Sequence, residues 1–192
     1  MLEKATKHTT YWLYAVIALT FVDILAAYSF SDPMIENAAF APSTTIREVT
    51  RIVSAVFYLG SFVAVARWVY LAAKVNRDTG IKGLKYSPVA SVAWFFMPVM
   101  NLWKPYFAVK EHYLARMQNS RVLSGDAKTT FRLWWFSFIA SQVLANSSYT
   151  QTYPSGVIVG TNAIFKFASG IALVLSCLAL IKICLLYTSP SP

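Results

Sequence analysis

The chain has 192 residues, of which 57% are hydrophobic and 13% charged, and its mean hydropathy is +0.50. An ordinary soluble domain is about 45–50% apolar and about 25% charged. A domain this small cannot bury so much apolar surface within itself, so the composition excludes a soluble globule and predicts an integral membrane protein. The formal net charge of +9 is a bulk number, and only the positions of the charges decide whether it indicates nucleic acid.

The first apolar stretch runs from Tyr11 to Phe30 and is interrupted only by Asp23. As a helix it would measure about 30 Å, which is enough to span a bilayer. A cleaved signal peptide is the alternative, because lysines precede the stretch, although an acidic residue is unusual in such a segment. The polar connection from Ser31 to Ser43 then leads to a second span at about Val49–Val75.

The central part of the chain combines turn signals with a short apolar run. A basic loop at 76–87 leads into an uncharged run from Tyr86 to Trp103, which begins with Ser87-Pro88 as a helix cap and contains Pro98. The run is barely long enough to cross a membrane, and its internal proline favours a broken, re-entrant hairpin. The following segment, Pro105–Met117, mixes apolar and charged residues, as an interfacial amphipathic helix does.

Two further spans are predicted in the C-terminal part. A second basic loop at 118–128 precedes a third span at about Phe131–Ser148, and the last span, at about Val157–Ile183, contains Lys166. The predicted fold class is therefore all-α: a polytopic membrane helical bundle of four transmembrane spans plus a Pro-broken re-entrant or interfacial hairpin. Five spans are the alternative. We expect residues 1–183 to form a single integral membrane domain.

The distribution of charge predicts the topology. If both termini lie inside and the hairpin returns to the same side, the inside segments hold 13 cations against four acids, and the outside connections hold two cations against three acids. Cations in short loops favour the cytoplasmic side, whereas five spans would place one basic loop outside. The positive charge therefore indicates contact with anionic lipid at the cytoplasmic loops, and no nucleic acid is expected as a partner.

The last nine residues, CLLYTSPSP at 184–192, match one translated frame of a common transposase sequencing adapter. We therefore expect this tail to be a library artefact and the natural chain to continue differently after Ile183. A genuine Pro/Ser tail is the alternative. Sequencing libraries of this kind suggest a bacterial source. The two cysteines, Cys177 and Cys184, indicate neither a disulfide framework nor a metal site.

The region from Arg67 to Arg116 resembles a bacterial multi-pass membrane family, domain of unknown function 4328. The signature of that family is SP, then FFxPxxNLxxP and a helix with an acidic residue, and the stretch SPVASVAWFFMPVMNLWKPYFAVKEHY follows it closely. The motif residues are Trp68, Asn76, Ser87, Pro88, Trp94, Phe95, Pro98, Asn101, Leu102, Pro105 and Glu111. The resemblance implies the fold and the membrane placement, and it supplies no reaction, ligand or catalytic residue.

Three charged residues lie well inside the predicted spans, away from the span ends: Asp23, Arg67 and Lys166. Each costs roughly 2.5–3.5 kcal/mol on insertion scales, so such residues are normally paired or functional. We predict an ion pair between Asp23 and Lys166 that joins the first span to the last, with a water-facing Lys166 as the alternative. Arg67 either extends to the headgroups or helps to bind an anion such as a lipid phosphate. The candidate anion or lipid headgroup site comprises Arg67, Asn101, Trp103 and Lys104.

Other polar and small-residue motifs have simple interpretations. Glu111 and His112 are adjacent and point about 100 degrees apart on a helix, so they are interpreted as a pair at headgroup level. Gly60xxxAla64 and Gly156xxxGly160 match the small-residue helix contact motif and favour internal packing over dimerisation. No arrangement of nucleophile, base and acid, and no set of metal ligands, is visible in the sequence.

These observations predict a membrane protein without catalysis, metal or cofactor: a scaffold, a lipid-interacting protein or an accessory subunit. We expect it in the bacterial cytoplasmic membrane with its N-terminus in the cytoplasm, in contact with anionic lipid and with a protein partner or a second copy. A small transporter or channel that uses the intramembrane charges is the alternative, and a membrane enzyme has the least support. If Asp23 and Lys166 are inaccessible to water, the scaffold is favoured. If water reaches them, the transporter is favoured.

Overall fold

The computed structural model describes residues 1–29, 44–117, 125–147, 151–152, 158–159 and 163–188. Over these residues the helices are α1 Leu2–Ser29, α2 Thr44–Asp78, α3 Pro88–Ala93, α4 Lys104–Arg116, α5 Gly125–Ser147 and α6 Ala163–Thr188. Two short 3-10 turns, Trp94–Phe96 and Met100–Leu102, join α3 to α4, and the two-residue strands Gln151–Thr152 and Ile158–Val159 pair antiparallel. The predicted all-α class is confirmed.

Three of the described helices are long and apolar enough to cross a membrane: Leu2–Leu25 within α1, Val49–Asp78 within α2 and Ile164–Thr188 within α6. Many of their large apolar side chains are exposed, as expected for surfaces that face lipid. The fourth predicted span, α5, has 23 residues and so measures about 34 Å. It has no stretch as apolar as those of the other three helices, since Gln142, Asn146 and several serines interrupt its apolar residues.

Helices α1 and α2 run antiparallel and are joined by hydrogen bonds near the start of α1. The Thr9 hydroxyl donates to the backbone carbonyl oxygen of Ala64 at 3.0 Å. One turn away, the indole N–H of Trp68 donates to the Thr6 hydroxyl at 2.9 Å. The first two turns of α1 therefore lie beside the second half of α2.

Close approach of α1 and α2 depends on a glycine. A Cβ atom at Gly60 would overlap the ring of Trp12, so no larger residue fits there without a shift. Gly60 and Ala64 both face α1, which confirms that the Gly60xxxAla64 motif serves packing within the bundle. The second small-residue motif, Gly156xxxGly160, lies outside the described residues.

Helices α5 and α6 also run antiparallel. The Ser169 hydroxyl donates to the Ser141 carbonyl oxygen, and the Ser176 hydroxyl donates to the Trp134 carbonyl oxygen, both at 3.1 Å. Farther along, the Lys182 ammonium contacts both carboxylate oxygens of Asp126, at 3.0 and 2.8 Å. The donors on α6 thus align it with α5 over most of its length.

The predicted start of the last span is wrong. α6 begins at Ala163 rather than at Val157, and the residues Ile158–Val159 lie in a short strand. These residues are β-branched, and glycines stand close by in the sequence, so helix propensity is low at this point. Lys166 therefore lies in the first turn of α6, near the end of the span rather than deep within it.

The run from Tyr86 to Trp103 does not cross the bundle as one helix. α3 has only six residues, about 9 Å, and ends in the two 3-10 turns around Pro98. α4 then returns beside α3, because Glu111 contacts the backbone of Lys85 and Tyr86. The Pro-broken hairpin is confirmed, and the five-span alternative has no helix here long enough to cross.

α6 continues to Thr188, so the first residues of the C-terminal tail 184–192 are helical. Tyr187 is buried against Trp68, with the ring centres 5.5 Å apart, and its hydroxyl lies 2.9 Å from the amide oxygen of Asn76. A helix can continue across the junction because Leu185 and Leu186 are apolar like the span before them. The foreign origin of the tail stays a prediction.

Candidate functional site

The hairpin is closed at its base by one carboxylate. The two oxygens of Glu111 accept hydrogen bonds from the backbone N–H groups of Lys85 and Tyr86, at 2.8 and 3.1 Å. Both donors belong to the loop before α3, and Glu111 lies on α4, so the contact fixes the start of the hairpin to its return. The motif acid that the resemblance singled out therefore has a structural role.

A chain of side-chain hydrogen bonds runs inward from the start of α3. Ser87 caps this helix by accepting from the backbone N–H of Ala90 at 3.0 Å, as predicted. The Ser91 hydroxyl donates to the Ser87 carbonyl oxygen at 2.8 Å and also lies 2.8 Å from Nε2 of His112. Because the hydroxyl hydrogen of Ser91 is already used, Nε2 of His112 must be the donor to Ser91. This network assigns His112 the tautomer with hydrogen on Nε2.

His112 lies in the protein interior, because α3 covers it and its side chain is only 2% exposed. The interpretation of Glu111 and His112 as a pair at headgroup level stays a prediction. Burial lowers the pKa of His112, Glu111 opposes the effect, and Arg77 adds to it. Its backbone carbonyl oxygen accepts from the buried Asn76 amide at 2.8 Å, which ties α4 to the end of α2.

Lys104 lies between two aromatic rings at the base of the hairpin. Its ammonium group is 5.8 Å from the ring centre of Tyr86 and 5.3 Å from that of Trp94, which are cation–π distances. Asn101 is half-buried, and its side-chain oxygen has no hydrogen-bond partner among the described groups. Trp103 is 40% exposed. These motif residues therefore lie close to one another in the returning half of the hairpin.

Arg67 stands apart from the rest of the predicted anion site. It is exposed on α2, and within the described ranges no hydrogen bond or ion pair joins it to Asn101 or Lys104. The cation that does lie beside the hairpin, Lys104, is engaged by aromatic rings. The anion site and the alternative, in which Arg67 extends to the headgroups, both stay predictions.

The tip of the hairpin reaches into the bundle between α2 and α5. Phe62 of α2 packs edge-on against Phe95 and Phe96, with ring centres 6.3 and 5.3 Å apart. On the other side, the Trp135 indole donates to the Leu102 carbonyl oxygen at 2.8 Å. Phe62 lies 12 residues before Lys74, so the tip of the hairpin packs about 18 Å along α2 from that lysine. The choice between a re-entrant and an interfacial hairpin stays a prediction.

Asp23 and Lys166 lie near the same end of α1 and α6. Asp23 is half-buried and interacts electrostatically with Lys166, while Lys166 is exposed. The direct ion pairs in the described part of the chain are Glu3–Lys7 and Asp126–Lys182, so the two charges attract without touching. The ion pair between Asp23 and Lys166 stays a prediction.

A half-open cavity of about 500 Å³ lies between the helices of the bundle. Its wall includes Leu13 and Val16 of α1, Tyr58, Phe62 and Val65 of α2, Phe95 of the hairpin, Trp134, Phe138 and Gln142 of α5, and Ser169, Leu173 and Leu180 of α6. The wall residues of α1, α2 and α6 belong to the three helices that are long and apolar enough to cross a membrane. No charged side chain is among the described residues that line it.

One end of the bundle is strongly basic. Bonds between Asn76 and His112, the ring contact of Tyr113 with Phe131 at 5.2 Å, and the Lys182 ion pair bring the ends of α2, α4 and α6 together with the start of α5. We call this region the basic end. Its described cations are Lys4, Lys7, Lys74, Arg77, Lys82, Lys85, Lys104, Lys110, Arg116, Lys128, Arg132 and Lys182.

Two features of this site were missed in the sequence. The contact between Ser91 and His112 joins residues 21 positions apart, and no local pattern encodes it. The cavity arises where five segments meet, and its only trace in the sequence is a set of small residues on helix faces, such as Ser61, Ser141 and Ser169. Glu111, in contrast, could be selected from the motif alone.

The comparison with known proteins gives one family. The sequence model of a domain of unknown function (DUF4328) matches residues 31–184, which include α2, the hairpin, α4, α5 and most of α6. The match covers most of the chain and contains the motif residues from Trp68 to Glu111. No curated protein matches the chain, and no solved structure matches it.

Proposed function

The chain belongs to the DUF4328 family, and from this premise we propose that it is a non-catalytic membrane protein that binds anionic lipid at its basic end. It would act as a scaffold or accessory subunit in the cytoplasmic membrane of a bacterium. The observation that carries the proposal is the basic end itself, where the fold brings twelve described cations to one end of an apolar bundle. Basic residues near a membrane surface attract anionic lipid by about 1 kcal/mol each.

The orientation follows from the same asymmetry. By the positive-inside rule, the basic end faces the cytoplasm, which places the N-terminus and the base of the hairpin there. Trp103 is exposed beside Lys104, in the position of an aromatic residue at the interface. The lipid partners are therefore those of the cytoplasmic leaflet.

The pair of side chains that most resembles a catalytic nucleophile and base, Ser91 and His112, supports a non-catalytic role. Ser91 and His112 are in contact, but Ser91 is 0% exposed and donates its hydrogen to a backbone carbonyl. A nucleophile must reach its substrate and give its proton to a base, and this arrangement offers neither. The pair instead stabilises the hairpin.

The alternative function, a small transporter, rests on Asp23 and Lys166, which attract each other at the end of the bundle remote from the basic end. Neither residue is among those that line the cavity. A transport path would need charged groups along a polar route through the membrane. The scaffold is therefore the better supported proposal.

The test is the lipid selectivity of the reconstituted protein, measured with spin-labelled phosphatidylglycerol and phosphatidylcholine. We expect a preference for phosphatidylglycerol, which Lys82→Gln reduces by up to about fivefold at low salt, since one surface cation is worth about 1 kcal/mol. The matched control is Arg51→Gln, an exposed cation outside the basic end, which should leave the preference unchanged. Equal effects of the two variants, or no preference in the wild type, would contradict the proposal.

A further inference from the structure

The cavity is too large to be a packing defect, and it opens to the outside of the bundle, since the exposed residues Gln142 and Ala145 are part of its wall. It measures about 500 Å³, whereas voids within close-packed protein interiors are seldom larger than a water molecule. An apolar cavity of about 150 Å³ accommodates one benzene, which has six carbon atoms, so by the same proportion this volume accommodates roughly 20 carbon atoms. Unfilled, the aromatic and aliphatic side chains of its wall would lack partner atoms on one side.

Water is a poor occupant of this cavity. The serine hydroxyls on its wall already donate to backbone carbonyls: Ser61 to Tyr58, Ser141 to Phe138, Ser169 to Ser141, and Ser176 to Trp134. A buried water needs two to four polar partners, and most of the remaining wall is apolar. The chemistry of the wall therefore selects a hydrocarbon.

The shape of the cavity narrows the choice further. On α5 its wall extends from Trp134 to Ala145, and on α6 from Ser169 to Leu180, which is about 16 Å along each helix. A volume of 500 Å³ over that length leaves a cross-section of roughly 30 Å². A helix of a partner protein is about 10–12 Å in diameter and does not fit. A single extended hydrocarbon chain does.

We propose that the cavity binds one hydrocarbon chain of a membrane phospholipid, seated between Phe62, Phe95, Trp134, Phe138 and Leu173. The polar head lies at the end of the cavity remote from the basic end, where Gln142 is exposed on α5 and Lys166 is exposed one turn before Ser169. The site is separate from the lipid contacts of the basic end and does not depend on them. The bound chain completes the core of the bundle.

The experiment compares two tryptophan substitutions two residues apart on α2. Val65→Trp places a large ring in the cavity, whereas Val63→Trp places the same ring on a surface that is 57% exposed. The protein is purified in mild detergent at 0.5 M salt and analysed by native mass spectrometry with phosphatidylglycerol and phosphatidylcholine of identical chains. We expect one retained lipid per chain for either head, because the chain and not the head charge is bound.

Val65→Trp should lower this retention about tenfold or more, because each excluded methylene of about 0.8 kcal/mol is worth nearly a factor of four. Val63→Trp should retain lipid as the wild type does. Equal retention by the two variants, or equal loss, would overturn the proposal. If Lys82→Gln abolishes the phosphatidylglycerol preference but leaves retention intact, the result supports a cavity site that is independent of the basic end.

A second measurement needs no substitution and covers the case in which Val65→Trp does not fold. The wild-type protein is illuminated with a phosphatidylcholine that carries a diazirine near the middle of one chain, and the labelled peptides are mapped. We expect labels on cavity residues such as Phe138 and Leu173. Labels confined to lipid-facing residues such as Val56 and Leu59 would overturn the proposal.

Discussion

At the residue scale, Glu111 accepts hydrogen bonds from two backbone N–H groups at the base of the hairpin that would otherwise have no acceptor in the protein. Glu111→Ala removes both acceptors, and we expect it to destabilise the protein by about 1–3 kcal/mol. Thermal unfolding in detergent should then begin several degrees lower, roughly 2–8 °C. Glu111→Gln retains one acceptor oxygen, so its unfolding temperature should lie between those of the wild type and Glu111→Ala.

The matched control for Glu111→Ala is Glu3→Ala, because Glu3 forms an exposed i,i+4 pair with Lys7 at 3.1 Å. Exposed pairs of this kind are worth little, about 0.3–0.5 kcal/mol. A loss of stability as large in Glu3→Ala as in Glu111→Ala would mean that the hydrogen bonds of Glu111 contribute nothing specific.

His112 gives the protein a defined response to acid. Its folded pKa is lowered by burial from the ordinary value of 6.5, so over the interval just below 6.5 the unfolded chain binds a proton that the folded chain does not. The stability contributed by neutral His112 is therefore present at neutral pH and is lost as the pH falls below 6.5. We expect the melting temperature to fall between about pH 7 and pH 5.

The His112→Gln variant separates this residue from the other titratable groups. A glutamine amide can donate to Ser91 as the imidazole does but cannot take up a proton, so the fall in melting temperature should be shallower. His8→Gln is the control for removal of a histidine, because His8 is exposed on α1. An unchanged slope in His112→Gln would show that acid acts elsewhere.

At the element scale, the contact of α1 with α2 depends on the absence of a side chain at Gly60. Gly60→Ala would force the ring of Trp12 to move, and we expect a cost of about 1–3 kcal/mol in thermal unfolding. Gly125→Ala is the control, since a Cβ there meets no atom within 4 Å. Combining Gly60→Ala with Trp12→Leu should recover part of the loss, and a failure to do so would contradict this packing argument.

The element boundaries show what hydropathy can and cannot predict. The hairpin was predictable because Ser87-Pro88 and Pro98 carry local signals that no tertiary contact overrides. The start of α6 was not, because the apolar run beginning at Val157 is compatible with strand as well as helix, and pairing of Ile158–Val159 with Gln151–Thr152 decides between them. Apolarity identifies a span but not its first residue.

At the scale of the whole molecule, the basic end makes a topological prediction. With Cys177 and Cys184 replaced by alanine, Lys82→Cys and Lys128→Cys should resist an impermeant maleimide in intact cells and react after lysis. Asn146→Cys, exposed at the opposite end of α5, should react in intact cells. Labelling of Lys128→Cys but not Lys82→Cys from outside would contradict the hairpin.

The overall arrangement was accessible from the sequence to different degrees. The clustering of cations could be predicted because each predicted span takes the chain to the other side of the membrane and so assigns every loop to one of two sides. The cavity could not, because its volume depends on how far Phe95 penetrates between Phe62 and Trp135, a distance that no local pattern records. Placement in the membrane is thus a property of segments, and the site a property of their packing.

In these hydrogen bonds between helices, the two partners differ in their sensitivity to mutation, because a side chain donates and a backbone carbonyl accepts. Thr9 donates to the carbonyl of Ala64, and Ser176 donates to that of Trp134. A carbonyl survives any substitution that leaves the helix intact, whereas the donor is lost with a single oxygen atom. A mutational scan of this chain should therefore tolerate different substitutions at the two partners of each bond. Only residues with a hydrogen-bond donor should preserve stability at positions 9 and 176, whereas any residue of similar size should do so at positions 64 and 134.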